Sequence, residues 1–441
     1  MAFSKEDKRA AWIFPLAFTA LVFIIYHAVL STNTNDDIYF TKVAAGSPVM
    51  EILKVRYNGW SSRVFIEFFT LLLARAKWLW RIIDVAAFVT LPILVTKLAG
   101  WKKSLWTPCL FVLLYPFYDM FSAGWFTTTC FVAFTLWGLL YACICLKKEA
   151  EGERLAWYEW IFGIFCCAYA TNQEQCAAIM AVLGLYAAVS TIRSRRVPAF
   201  AAVCLIITAF MLVNALVLCP GNAMRTLKES ENYWPNFAQA PLWQKLAIGT
   251  VNLFSAFAGS FNPIFLAFSA VLSAAVFKKT KSAVKTAAAS LPLLISFIYV
   301  CVFSGFPLIA DKLSLPGEIY SVSLKDYGTL FALLCSAALI ASSVLALVWL
   351  ADSVNEAVRD VIIFLAGGGS SVMLGLSPTV YASSTRIFMY FYFALIILSL
   401  KTIGKYGLPG EDAEKNKLLM AAGALVAATT FIYSMHFCLM R

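Results

Sequence analysis

Apolar residues fall along the chain in many long runs that are separated by short polar stretches. Most runs reach about 18 to 25 residues, the length at which a helix crosses a hydrocarbon core about 30 Å thick. A helix satisfies its own backbone hydrogen bonds in lipid, so these runs predict an all-α integral membrane protein. We predict about 13 transmembrane helices, near residues 12–30, 82–98, 104–119, 122–146, 157–171, 174–192, 199–218, 246–276, 286–304, 327–350, 359–377, 385–400 and 418–438.

Composition supports this fold class and excludes a soluble globular protein. Hydrophobic residues make up 61% of the chain and charged residues 13%, and the mean hydropathy is +0.78. No polar stretch is long enough to form a core of its own, so we predict one polytopic membrane domain over residues 1–441 and no separate soluble domain. The first run, 12–30, is predicted to be a retained span, because the polar segment after it lacks the small residues of a cleavage site.

The positive charges predict how the chain is oriented. The net charge is +11, but Lys and Arg occur as small clusters between apolar runs, a pattern that orients membrane proteins and does not indicate a nucleic-acid partner. The short apolar segment 64–74 contains Glu67 and is flanked by arginines, so we predict an in-plane juxtamembrane helix within a first external loop, residues 31–81. With the N-terminus cytoplasmic, this choice makes the main basic clusters cytoplasmic, at residues 102–103, 147–148, 193–196, 278–281 and 401–405.

The same topology gathers the polar segments that look capable of chemistry on the external side. The connections between spans are too short for independent cores, so a site has to be assembled from loops and helix ends. We predict one external site built from residues 35–40, 60–63, 171–175, 220–225 and 377–386.

Asp36 and Asp37 follow the first span directly, where carboxylates are costly unless they are solvated, paired or used. In a structural interpretation, Thr34 and Asp37 have the spacing of a capping box, and acidic residues favour a helix N-terminus. In a functional interpretation, one carboxylate is a general base, while its neighbour, turned about 100° away on a helix, holds a partner. The sequence does not rank the two residues.

Trp60, Arg63 and Glu174 are candidates for binding substrate. Trp60 and Arg63 have the composition of an interfacial anchor, but an external arginine also suits an ion pair or a phosphate. Glu174 lies in the polar block 171–175, where a turn explains the first residues. It explains Glu174 less well, because this residue already belongs to the next span, and an ionisable side chain there is a functional candidate.

Asn222, Arg225 and Arg386 complete the candidate site. The segment 220–225 reads Pro-Gly-Asn-Ala-Met-Arg, and its first three residues are explained by turn geometry alone. Arg225 follows that turn and Arg386 opens a later span, which gives three external arginines together with Arg63. Such a set suits an anionic lipid phosphate better than it suits unrelated anchors.

The sequence does not indicate a metal centre or another cofactor. It contains no C-x-x-C pair, and its two histidines, His27 and His436, lie near opposite ends of the chain. No third carboxylate is clearly placed to bind a divalent cation beside Asp36 and Asp37.

In the order of these features, the chain resembles a bacterial family of polytopic membrane proteins related to the GT-C glycosyltransferases. The order is a first span followed at once by 35–37, then 60–63, 172–175, 220–225, and Ser377-Pro378 with Arg386. It extends over most of the chain, although each motif alone is short. The resemblance implies a GT-C-like fold and matches the in-plane helix predicted at 64–74.

The resemblance also implies an activity, because GT-C enzymes take the sugar from a polyprenyl-phosphate or dolichyl-phosphate donor. The base or acceptor-orienting carboxylate of their first external loop corresponds to Asp36 or Asp37. We therefore expect a multi-pass enzyme of a bacterial inner membrane that transfers a sugar to a cell-surface glycan or a lipid-linked acceptor, in contact with membrane lipids.

Two alternatives remain open at this point. A transporter or flippase for lipid-linked or anionic solutes also needs many spans and buried charges, although no inverted repeat is evident. The glycine-rich segment 367–371 fits a broken transporter helix or, preferably, close helix packing. A surface-polysaccharide polymerase or ligase uses the same lipid-phosphate leaving group and differs in transferring a chain.

Overall fold

The computed structural model describes residues 5–32, 34–121, 124–303, 313, 317–323, 325–383, 385–409, 425, 428–429 and 432. All regular structure in these ranges is helical, which confirms the predicted fold class. The predicted span at 418–438 lies outside the described residues, apart from isolated positions.

Nine helices of the described part are long and apolar enough to cross a membrane, so the chain is a multi-pass membrane protein. They are Ala11–Val29, Lys77–Ala99, Trp125–Glu151, Glu174–Arg193, Ala199–Leu218, Pro263–Thr280, Tyr327–Leu350, Val354–Leu376 and Arg386–Tyr406. A tenth candidate is the pair Ala283–Ala289 and Leu291–Val302, which meet at 47°. Helix Trp157–Thr171 is shorter, at 15 residues.

Two predicted spans have a different local structure. Within 104–119, the longest helix is Trp106–Leu113, and eight residues cover only about 12 Å. Within 246–276, the chain forms two helices, Leu242–Phe257 and Pro263–Thr280. The second begins because the Asn262 side chain accepts the Phe265 N–H at 3.0 Å and Pro263 occupies the first turn.

The described chain divides into two compact units, the first containing residues 1–225 and the second 226–408. In the first unit, helix α1 (Lys5–Val29) is followed by segment 31–81, which contains three short helices: α2 (Asn35–Gly46), α3 (Val49–Gly59) and α4 (Val64–Arg75). Helix α4 matches the helix predicted at 64–74, and it packs on α2 and α3. Its in-plane orientation stays a prediction.

The polar motifs and the basic clusters of the first unit lie at opposite ends of the same helices. The motif end is defined here by residues 35–40, 60–63, 171–175 and 220–225, and the basic end by residues 97–103, 147–154 and 193–198. Helix Lys77–Ala99 runs from one end to the other over about 35 Å. At the basic end, Lys147 Nζ donates to the Lys97 carbonyl at 2.9 Å. This separation agrees with the two predicted sides.

In the second unit, two predicted cytoplasmic clusters meet at shared carboxylates. Asp352 lies 2.7 Å from Lys279 Nζ and 2.8 Å from Lys405 Nζ. Hydrogen bonds from these two lysines lower the pKa of Asp352 to about 2. Lys405 also contacts Glu356 at 2.8 Å. The clusters at 278–281 and 401–405 therefore share one end of this unit, as a common membrane side requires.

Candidate functional site

The site is organised around the turn at residues 60–63, which joins α3 to α4. Asn172, from the distant block 171–175, accepts the backbone N–H groups of Phe65 and Ile66 at 3.0 and 3.1 Å. These are donors of the first helical turn, which have no partner within the helix. The Asn172 amide also donates to the Ser62 carbonyl at 3.3 Å. The polar block therefore fixes where α4 begins.

Segment 220–225 contacts the other side of the same turn. Asn222 Oδ1 accepts the Ser62 N–H at 3.1 Å, and its amide donates to Ser62 Oγ at 3.0 Å. Gly221 lies so close to the main chain of Trp60 and Ser61 that a β-carbon would lie 2.9 Å from Ser61 N and nearer still to Trp60 N. Asn222 is thus used for positioning, and only glycine permits this approach.

These contacts bring the charged candidates together. Arg63 forms a two-pronged ion pair with Glu174, in which Nη2 and Nε donate to Oε2 at 2.6 and 3.0 Å. The Arg225 guanidinium lies 5.8 Å from the centre of the Trp60 ring, within the range of a cation–π contact. Five predicted site residues, namely Trp60, Arg63, Glu174, Asn222 and Arg225, therefore lie in one cluster, called the arginine cluster below.

The arginine cluster is accessible and carries a net positive charge. Two guanidinium groups and one carboxylate leave one excess positive charge. The side chains of Arg63 and Glu174 are 20% and 32% exposed, so the ion pair reaches the surface. A planar arginine fork held by a carboxylate is fixed in direction, which two-pronged recognition of an anion requires.

The acidic pair divides into a buried and an exposed residue. Asp37 is fully buried and accepts the N–H groups of Phe126 and Thr127 at 3.2 and 2.8 Å, together with the Thr127 hydroxyl at 2.8 Å. It thereby caps helix Trp125–Glu151. Gly124, at φ +109°, leaves room for this carboxylate. Asp36 is exposed on the first turn of α2.

The environment of Asp37 changes its titration. Burial raises its pKa to about 6, against the lowering effect of the hydrogen bonds from Thr127 and Phe126. The capping role predicted for the acidic pair is thus fulfilled by Asp37, but on a helix that begins 88 residues later than the carboxylate. Thr34, the predicted local partner, makes no side-chain capping bond.

Arg386 belongs to the second unit, where it begins helix Arg386–Tyr406 and is partly buried. Its predicted place beside Arg63 and Arg225 stays a prediction.

Sequence reasoning missed two buried charged pairs. Arg56 contacts Glu67 through Nε at 2.5 Å and Nη2 at 2.7 Å, and His27 Nε2 lies 2.8 Å from Asp84 Oδ2. The available signal was the presence of Glu67 and Asp84 in apolar segments, where an unpaired carboxylate is costly. Which partner each one takes depends on helix packing and is not written in the local sequence.

Within the described ranges, no three His, Cys, Asp or Glu side chains group closely enough to hold a metal ion. Comparison with family models, with curated proteins and with solved structures finds no match to this chain.

Proposed function

We propose that this protein is a membrane glycosyltransferase. It moves a sugar from a polyprenyl-phosphate donor to a cell-surface glycan or a lipid-linked acceptor, on the external face of a bacterial inner membrane. The observation that carries the proposal is the arginine cluster, in which three separate polar motifs meet at the motif end. The resemblance to GT-C enzymes supplies the reaction type.

The charge of the arginine cluster supports a lipid phosphodiester as the ligand. A sugar linked to a lipid through one phosphate carries one negative charge, equal and opposite to the excess charge of the cluster. Glu174 orients the fork of Arg63, while Arg225 is placed over Trp60. Charge-assisted bonds from arginine to phosphate are among the stronger hydrogen bonds in proteins.

We assign the base role to Asp36 and a positioning role to Asp37. Asp36 is exposed and can reach an acceptor, whereas both oxygens of Asp37 already accept bonds from the start of helix Trp125–Glu151. In the proposed reaction, Asp36 removes the acceptor hydroxyl proton and the oxygen attacks the anomeric carbon. The bond to the phosphate oxygen breaks with its electron pair, and the arginines bind the departing lipid phosphate.

The proposal includes the finer topology predicted from the sequence. It comprises about 13 transmembrane helices in a GT-C-like arrangement, with a cytoplasmic N-terminus and α4 lying in the plane of the membrane. Arg386 is a further candidate residue for binding the lipid phosphate.

Transfer of labelled sugar from a polyprenyl-phosphate donor by the reconstituted full chain tests the proposal. We expect Asp36→Asn to reduce transfer by about 10²- to 10⁴-fold with donor binding retained. The matched control is Glu51→Gln, which neutralises an exposed acid of α3 in the same segment. Normal transfer by Asp36→Asn and by the Asp36→Asn/Asp37→Asn double variant would contradict the base assignment.

The phosphate role has its own test. We expect Arg225→Ala to weaken donor binding by about 10- to 150-fold, the equivalent of about 1.5 to 3 kcal/mol, while Lys54→Ala, an exposed cation of α3, changes it little. Glu174→Gln raises the excess charge of the cluster to two, so it should shift preference toward a lipid diphosphate. Unchanged donor affinity in Arg225→Ala would exclude the role.

A transporter of lipid-linked or anionic solutes is the second candidate, and the His27–Asp84 pair between two spans favours it. Translocation of a labelled lipid-linked sugar across vesicles without transfer would support this candidate. A polymerase or ligase would use the same cluster and yield a long glycan in the same assay.

A further inference from the structure

His27 and Asp84 form a buried pair between the first two spans of the chain. His27 lies in the last turn of Lys5–Val29, and Asp84 in the second turn of Lys77–Ala99. His27 Nε2 is 2.8 Å from Asp84 Oδ2, and the Trp125 indole N–H donates to the same oxygen at 2.8 Å. Asp84 is fully buried. The sugar transfer proposed above does not use this pair.

The hydrogen bonds of the His27–Asp84 pair allow the pair to bind one more proton. An indole N–H can only donate, so Asp84 Oδ2 accepts from Trp125. A neutral His27 donates to the same oxygen when it carries its proton on Nε2. Among the described residues, neither His27 Nδ1 nor Asp84 Oδ1 has a hydrogen-bond partner, although both are buried. An imidazole is a stronger base than a carboxylate, so a further proton is held at His27 Nδ1.

The neighbouring charges make both protonation states tolerable. Arg81, on the same helix as Asp84, donates to the His27 carbonyl and supplies one positive charge at the main chain of His27. Without the extra proton, Asp84 and Arg81 balance. With it, the pair itself is neutral, and Arg81, which is only partly buried, is left as the net charge. A buried charge without an opposite charge is the most costly arrangement, and neither protonation state produces one.

The other groups that face the pair do not supply a fixed counter-charge. Thr129 and Cys130 face Asp84 from helix Trp125–Glu151, and the Thr129 hydroxyl donates to the Phe126 carbonyl at 3.0 Å. The Trp80 ring lies edge-on to His27, with centroids 5.1 Å apart.

Further carboxylate and phenol groups complete the surroundings. Tyr26 is the chain neighbour of His27 and packs on Trp125 at 5.4 Å between ring centroids. Asp37 is the second carboxylate near this helix start, and it is bonded to Phe126 and Thr127.

We propose that the His27–Asp84 pair binds one exchangeable proton, and that its occupancy is sensed at the start of helix Trp125–Glu151. Trp125 donates to Asp84, and the next two residues donate to Asp37 of α2. A change in the Asp84 bond therefore acts on the same helical turn that anchors α2, the helix that carries Asp36. The binding of this proton does not rest on the proposed transfer reaction.

Tryptophan fluorescence of the purified full chain, titrated between about pH 5 and about pH 9, tests the proposal. A protonated imidazole quenches an indole in contact with it, so we expect a one-proton transition in the wild type. The transition should be absent in His27→Gln and in Asp84→Asn, and Trp80→Phe should remove most of its amplitude. It should persist in Asp37→Asn, which separates it from the titration of Asp37.

A second measurement decides the question when a substitution prevents folding. The chain contains two histidines, so His436→Gln leaves His27 as the single site for ¹⁵N-histidine labelling. Solid-state NMR distinguishes the neutral tautomers from imidazolium, and we expect both protonation states across the pH range. A single state throughout, or a fluorescence transition that survives His27→Gln, would overturn the proposal.

Discussion

Breaking the Arg56–Glu67 pair should loosen the segment that carries the arginine cluster. Arg56 belongs to α3 and Glu67 to α4, so the pair bridges the two helices that flank the turn at 60–63. Glu67 is fully buried and Arg56 nearly so. Arg56 also donates to the Tyr39 hydroxyl of α2 at 2.8 Å, so one guanidinium connects all three short helices.

The magnitude follows from the charge that is left behind. Glu67→Gln keeps the size of the side chain but leaves Arg56 buried without its counter-ion, a change that typically costs about 3 to 5 kcal/mol. The rings of Tyr39 and Phe40 lie 5.2 and 5.1 Å from the guanidinium, and such contacts offset about 1 kcal/mol. We therefore expect a net loss of about 2 to 4 kcal/mol in the local stability of segment 31–81.

Limited trypsin digestion of the protein in detergent measures this loss, because exposed Lys54 lies on α3 and cleavage follows the population of the opened segment. A loss of about 2 to 4 kcal/mol corresponds to about 30- to 1,000-fold faster cleavage. Arg56→Met/Glu67→Leu removes both charges and should cleave far more slowly than Glu67→Gln. Glu51→Gln is the matched exposed control. Cleavage of Glu67→Gln at the wild-type rate would refute the argument.

Three further predictions concern the two ends of the first unit. Gly221→Ala should separate segment 220–225 from the turn at 60–63, because its β-carbon meets the main chain there; weaker donor binding with unchanged membrane insertion checks this. Asp37 has a pKa of about 6 when folded, raised by burial from 3.8, so the folded state binds its proton more tightly than the unfolded chain. Stability should therefore fall by about 3 kcal/mol as pH rises from about 4 to about 6, and melting of Asp37→Asn should lack this dependence. Cysteines replacing Lys147 or Arg195 should resist labelling from outside intact cells, and ready labelling would reverse the assigned topology.

Hydropathy and charge were sufficient to predict the helical fold and the helix α4. They also predicted which polar motifs share one end, since alternating spans and clustered lysines fix the side of each connection. The contacts made by Arg63, Glu174, Asn222 and Arg225 agree with that arrangement in the first unit. The local sequence pattern therefore determined the end of the first unit at which each of these residues lies.

The sequence did not predict which side chains contact each other at that end, because these contacts depend on the rotation and depth of each helix. Asp36 and Asp37 have the same chemistry and adjacent positions, yet a turn of about 100° buries one and exposes the other. The break before Pro263 illustrates a different limit. Residues 258–262 read Ala-Gly-Ser-Phe-Asn, a break of a few residues within a long apolar stretch, and the Asn-Pro pair at its end indicates where the second helix starts.

Glu174 is an acidic residue in a proposed anion site, and its role there is explained by the site without a bound ligand. A half-buried arginine near the membrane is costly when it has no counter-ion, and Glu174 supplies one through a two-pronged bond to Arg63. The same carboxylate lowers the excess charge of the cluster from two to one. Glu174 thus stabilises the site when no ligand is bound. It also weakens the attraction for ligands of higher charge, because the negative charge of a diphosphate exceeds the single excess positive charge of the cluster. Orientation and discrimination then arise from one ion pair, and this explains why an acidic residue belongs beside two arginines.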